Sequence, residues 1–201
     1  MRRSEDDPAA ARAAKADLRT RLLAARRRRE EPERTAAARA LRDTLLGLPE
    51  VAMAGTVALY LSFGTEPATK SLAFALWKRG TYVLAPRMLP DRDLDWASYE
   101  GPDDLRPGPH GGLETTETSR GTEAVRRAAL VIVPALAVDE TGLRLGRGGG
   151  SYDRVLARLH PNTLTIALVY DDELLPDLPA EPHDRRVRAV ATPSGGLRRH
   201  R

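Results

Sequence analysis

The chain has 201 residues, 41% of them hydrophobic and 30% charged, with no cysteine; that suffices for one domain with a core, is short for two, and excludes a disordered chain, a disulfide scaffold and thiolate chemistry. Its opening stretch, MRRSEDDPAA, lacks the apolar core of a secretory signal, and no run approaches the ~18 apolar residues of a membrane span, so the expected location is the cytoplasm. The net charge of +4 is uneven: residues 1–42 carry 13 Lys/Arg against 7 Asp/Glu, a net +6, and the remainder carry 19 against 21, a net −2.

Residues 1–8 read as a flexible tail. Residues 9–30 are rich in Ala, Leu and Arg without Gly or Pro, which predicts a helix; Pro32 interrupts, and a second helix follows over 33–46. On a helical wheel Ala11, Ala14, Leu18, Leu22 and Ala25 form a narrow stripe, with Arg12, Lys15, Arg19 and Arg26 along one edge. Lys15 and Arg19 are four apart and project from consecutive turns. Two cations beside buried surface repel unless an anion separates them, and a polyphosphate would serve. The same pattern fits two side chains that simply extend into water. The basic charge is confined to this helix pair and no aromatic residues interleave with it, so no nucleic-acid partner is expected.

GTVALYL (55–61) reads as a buried strand, residues 67–79 as a helix and TYVLAP (81–86) as a strand. Residues 86–121, with five prolines and many Asp and Gly, form a long loop with one strand near Leu94–Tyr99. ALVIVPALAV (129–138) predicts one continuous strand, 152–159 a helix, and TLTIALVY (163–170) and VRAVAT (187–192) two further strands. Apolar strands without strict alternation, separated by helices, predict a three-layer α/β/α fold around a mostly parallel central sheet.

Between the strand at 129–138 and the helix at 152–159 lies GLRLGRGGGSYDR (142–154). A glycine run lets consecutive N–H groups turn toward one anion, and a following helix adds the positive end of its dipole. No Lys-Ser/Thr closes a Walker A loop, and the dinucleotide fingerprint fails at its last glycine. Asp153 in the first helical turn would repel phosphate unless a Mg²⁺ bridged them; Asp184 in EPHDRR offers a second carboxylate. The plainer alternative is a helix-terminal charge and a turn residue.

Together these segments resemble the 5-formyltetrahydrofolate cyclo-ligase family. The resemblance covers roughly residues 12–193 and rests on KADLR (15–19), YLSFGTE (60–66), LAPR (84–87), VIVPALAVD (131–139), the glycine block with its following YDR, and LPAEPHD (178–184). It implies an architecture similar to that of sugar-phosphate isomerases and CoA transferases, in one domain over 9–197 with a basic C-terminal tail at 198–201. It further implies ATP and Mg²⁺ as cofactors and 5-formyltetrahydrofolate, with or without added glutamates, as substrate of a monomeric enzyme. By the resemblance, Lys15, Arg19, Arg144, Leu145, Gly146, Arg147, Gly148, Gly149, Gly150, Ser151 and Tyr152 contact ATP. Leu61 and Glu66 line the folate site, shared with the stretch Arg147 to Ser151. Asp153 and Asp184 hold Mg²⁺, and Arg147 and Tyr152 are the candidate catalytic residues. Ser151 stands where the family commonly has a tyrosine, Val138 where it has phenylalanine, and Ala129 where an aspartate often precedes the strand. Phe63, Trp96, Tyr99 and Tyr152 are the candidates to stack a pterin. His183 either orients Asp184 or belongs to a turn. Sugar-phosphate isomerases and CoA transferases would need neither ATP nor paired aspartates.

Overall fold

The computed structural model describes residues 8–109 and 111–200. Of the expected tails, residues 1–7 and Arg201 lie outside the described residues. In chain order the elements are α1 (Pro8–Arg28), α2 (Glu31–Leu46), α3 (Pro49–Ala52), β1 (Thr56–Leu59), α4 (Lys70–Lys78), β2 (Tyr82–Met88), β3 (Leu94–Ser98), β4 (Leu105–Pro107) and β5 (Leu113–Thr115). They continue with β6 (Leu130–Pro134), β7 (Ala137–Asp139), β8 (Arg144–Leu145), α5 (Ser151–Arg158), β9 (Leu164–Leu168), β10 (Leu174–Leu175), β11 (Ala189–Thr192) and β12 (Gly196–Arg199). Pro32 opens α2 rather than merely ending α1: it lies in the first turn, where a missing N–H costs nothing, and Glu31 and Glu33 there favour the helix dipole.

The main sheet has seven strands in the order β12-β11-β9-β6-β1-β2-β3. The five inner strands run parallel, and each edge strand is antiparallel to its neighbour. Val57, Leu59, Leu130 and Ile132 face Leu41 and Leu45 of α2 and Leu72 and Leu76 of α4. The intervening Ala58, Val131 and Val133 face Val155 of α5 and Val125 of a 3₁₀ turn at Thr122–Arg127. Both faces are covered, which is why these strands read as continuous apolar runs. The result is the expected three-layer α/β/α arrangement.

The run at 129–138 is two strands, not one. β6 ends at Pro134, and β7 joins a second sheet of order β10-β7-β8. Helix α1 packs on that small sheet through Leu22, which meets Leu136, Leu143 and Leu145. The long loop at 86–121 contains β3 and an antiparallel hairpin of β4 and β5. At the C-terminus, Arg198 and Arg199 pair with Val190 and Ala189 in β12 and so belong to the sheet rather than to a tail. Among the described residues no helix is long and apolar enough to cross a membrane.

Leu45 is fully buried between α2 and the sheet. Replacing it with alanine is expected to lower the unfolding free energy by about 2–5 kcal/mol in urea titration. Met53→Ala, at a position 79% exposed, should change it by less than about 0.5 kcal/mol.

Candidate functional site

A cavity of about 710 Å³ opens where the chain leaves the C-terminal ends of β1 and β6. Ligands of open α/β sheets sit at such strand ends. Its walls are α1, the segment after β1, the end of β2, the tip of the β4–β5 hairpin, the break between β6 and β7, the glycine block and the loop at 181–184. The residues that the resemblance assigns to ATP, folate or metal all border this one space, the ring-stacking candidates apart.

Lys15 does not extend into water. It is 3% exposed, and its Nζ donates to Glu181 Oε2 at 2.9 Å and Asp184 Oδ2 at 2.5 Å. One turn later, Arg19 Nε donates to the Gly146 carbonyl at 2.9 Å. Helix α1 thereby touches both later loops whose residues were separated from it by more than a hundred positions in sequence.

The glycine block has two geometric demands. At Gly146 a side chain would meet Arg144 Nη1 at 2.7 Å, so the loop lies flat on that guanidinium. Gly150 has φ +70° and is the N-cap of α5, a left-handed conformation that favours glycine. No side chain caps that helix, so Ser151 does not act as a cap; its hydroxyl lies 3.9 Å from the sulfur of Met88.

Arg144 donates from Nη1 to the Pro134 carbonyl at 3.2 Å and from Nη2 to Asp153 Oδ1 at 2.9 Å. Arg147 Nε lies 3.2 Å from Glu66 Oε1, and its guanidinium stands 4.8 Å from the centre of the Phe63 ring. The Phe63 N–H donates to the other oxygen of Glu66 at 3.2 Å. Burial pushes the Glu66 carboxyl above its usual range, opposed chiefly by Arg147. Burial likewise raises the Tyr152 hydroxyl. The hydrogen bond from Lys15 is the main reason the Glu181 carboxyl is held low.

Four aromatic residues were candidates to stack a ring. Phe63 and Tyr152 border the cavity. Trp96 does not: it is fully buried in the core behind the sheet. Tyr99 is buried as well, edge-on to Trp77 at 6.3 Å between ring centres.

The hard oxygen donors of Asp153 and Asp184 suit Mg²⁺. Each uses one oxygen on a neighbouring cation, Arg144 or Lys15, and the second oxygen of each takes no hydrogen bond among the described residues. The chemistry of the donor set therefore fits the ion. Glu181, His183 and Asp184 place ligand atoms within 4.8 Å of one another, and Asp153 is not part of that group. Glu181 was missed from sequence, although it stands three residues before Asp184. Arg26 also borders the cavity, and only its place on the cationic edge of the helical wheel pointed to it.

Fold and cavity together define an α/β protein whose strand ends carry a cation-rich cavity with a partly aromatic slot. The sequence profile of the 5-formyltetrahydrofolate cyclo-ligase family matches residues 11–193, and the chain belongs to that family. It is 40% identical over 189 residues to the 5-formyltetrahydrofolate cyclo-ligase of Mycolicibacterium smegmatis, covering 91% of this chain and 95% of that one. The protein of the same name from Escherichia coli K12 is 35% identical over 153 residues, covering 75% of this chain and 84% of the relative. Among solved structures, Aquifex aeolicus 5,10-methenyltetrahydrofolate synthetase aligns with a TM-score of 0.81 at 27% identity, over 93% of each chain.

The raised Glu66 carboxyl has a consequence for stability. A carboxyl held above its unfolded value favours folding while protonated, and that contribution is lost as pH rises through the folded value. Wild type should therefore lose thermal stability relative to Glu66→Gln as pH rises from about 4 towards neutrality. Melting curves of the pair across that range check the sign.

Proposed function

We propose that this chain catalyses the ATP-dependent cyclisation of 5-formyltetrahydrofolate to 5,10-methenyltetrahydrofolate, releasing ADP and phosphate. The observation that carries this reading is that one cavity joins the cations Lys15, Arg19 and Arg144 to the Glu66–Phe63 slot through Arg147. The formyl carbon on N5 is amide-like, and oxide is a poor leaving group. Transfer of the γ-phosphoryl group to the formyl oxygen converts that oxygen into part of a phosphate leaving group. N10 of the same folate then attacks the carbon, the ring closes, and phosphate departs with the N10 proton passing to it or to water.

The chain's work in this sequence is positioning and charge stabilisation. Lys15, Arg19 and the stretch Arg144 to Tyr152 hold the polyphosphate, with the N–H groups of Gly148 to Gly150 as further donors. Asp153 and Asp184 would hold Mg²⁺, which when bound neutralises phosphate oxygens. Glu66 accepts two N–H bonds from the pterin edge, as a carboxylate can. Leu61 and Phe63 supply apolar surface beside it. Arg147 reaches from the nucleotide loop to the folate slot and faces the oxygen being phosphorylated, and Tyr152, at the start of α5, borders the same space with the Arg144 guanidinium 6.0 Å from its ring centre. The working unit is a single chain in the cytoplasm, and the folate carries one or more glutamates.

The test mixes protein, 5-formyltetrahydrofolate and MgATP and follows the methenyl chromophore; its absence, with or without Mg²⁺, rejects the reading. Asp153→Asn is expected to lower turnover by about 10–100-fold with folate affinity unchanged, seen by comparing single turnovers with folate titration. Glu66→Ala is expected to raise the folate KM by about tenfold or more with the ATP KM unchanged; the opposite split would remove Glu66 from the pterin site.

A further inference from the structure

Several charged residues of the cavity wall take no part in the chemistry above, and Arg26 is the most buried of them. Arg26 is 1% exposed. Its Nε and Nη2 donate to Glu173 Oε1 and Oε2 at 2.7 and 2.8 Å, and Nη2 also donates to the Ala135 carbonyl at 2.6 Å. Glu173 is equally buried and accepts in turn from the Tyr170 N–H at 2.8 Å. A buried ion pair is a weak stabiliser, because apolar replacements of similar volume are often neutral or favourable. What an apolar pair cannot supply is direction: a planar guanidinium held bidentately fixes both angle and depth.

Arg26 follows Lys15 by eleven residues and Arg19 by seven on α1. At 3.6 residues per turn, all three fall within about 40° of one another around the helix. Arg26 is the deepest of the three. Its acceptor Ala135 adjoins Pro134, whose carbonyl receives Arg144, the residue that holds Asp153. Two neighbouring carbonyls at the break between β6 and β7 are thus taken by two buried arginines, one from α1 and one from the glycine block. A rotation or slide of α1 would pull Lys15 from the 181–184 loop and Arg19 from Gly146.

We propose that Arg26, held by Glu173, is a positioning residue for the nucleotide: it sets the register of α1 on the Pro134–Ala135 turn so that Lys15 and Arg19 present their charges to polyphosphate. This rests on the cyclo-ligase reading for the identity of the nucleotide.

The test is the double variant Arg26→Met/Glu173→Leu, which removes both charges together and leaves no buried ion unpaired. The expected result is a melting temperature at or above wild type, an ATP KM raised about tenfold, and a folate KM within about twofold. The Kd of a non-hydrolysable ATP analogue, measured by calorimetry without folate, should rise in parallel with the ATP KM. Unchanged ATP KM and analogue Kd would overturn the proposal. So would a parallel rise of both KM values with a lowered melting temperature, which is the mark of a purely structural pair. If the double variant fails to fold, Arg26→Lys decides: it keeps the charge but loses the fork, so a selective rise in ATP KM supports the proposal and wild-type values reject it. A wild type that binds the analogue but forms no methenyl product would reject the folate reaction and leave the positioning of α1 standing.

Discussion

Like charges crowd the wall of a single cavity, and the way each is held determines how the rest of the chain is arranged. Lys15, Arg19, Arg26, Arg144 and Arg147 would repel one another if left to solvent-like freedom. Each instead has its own acceptor: the Glu181–Asp184 loop, the Gly146 carbonyl, Glu173 with Ala135, Pro134 with Asp153, and Glu66. Those acceptors come from separate segments, so the cations bind the walls of the cavity to one another. The apolar seat of α1 is modest, a few leucines on a three-stranded sheet. Its orientation is therefore set by charge and hydrogen-bond geometry more than by burial.

The glycine block divides along its length under the same constraint. Its first part is a shelf: Gly146 lies on Arg144, which is itself pinned at both ends. Its middle part carries Arg147 across to Glu66 and Phe63. Its last part turns through Gly150 into α5 and aims Asp153 back at the cavity. A loop with side chains at the glycine positions would lose the first contact to collision and the last to backbone strain.

Much of the fold was legible because buried parallel strands leave continuous apolar runs, and 55–61, 129–138, 163–170 and 187–192 each contain one. The break inside 129–138 was not, because nothing in the run itself says that buried arginines will take the carbonyls of Pro134 and Ala135. β8 and β10 have two residues each and exist only through their partners, so they carry no periodicity to read. In the site, Lys15 and Arg19 were visible as neighbours on one helix. Their acceptors were not, since an ion pair between positions 15 and 181 or 26 and 173 leaves no local pattern. Trp96 misled for a related reason: composition supplies the ring, but only packing decides which side of the sheet it fills.

The last strand carries a consequence of another kind. An exposed sheet edge is a template on which another chain can add a strand, and aggregation starts there. β12 closes the main sheet on one side with the sequence GLRR, antiparallel to β11. Its arginines, both about half exposed, reach to Glu140 and Glu50 and place cations along the open rim. Without β12 the border of the sheet would be β11, apolar but for Thr192.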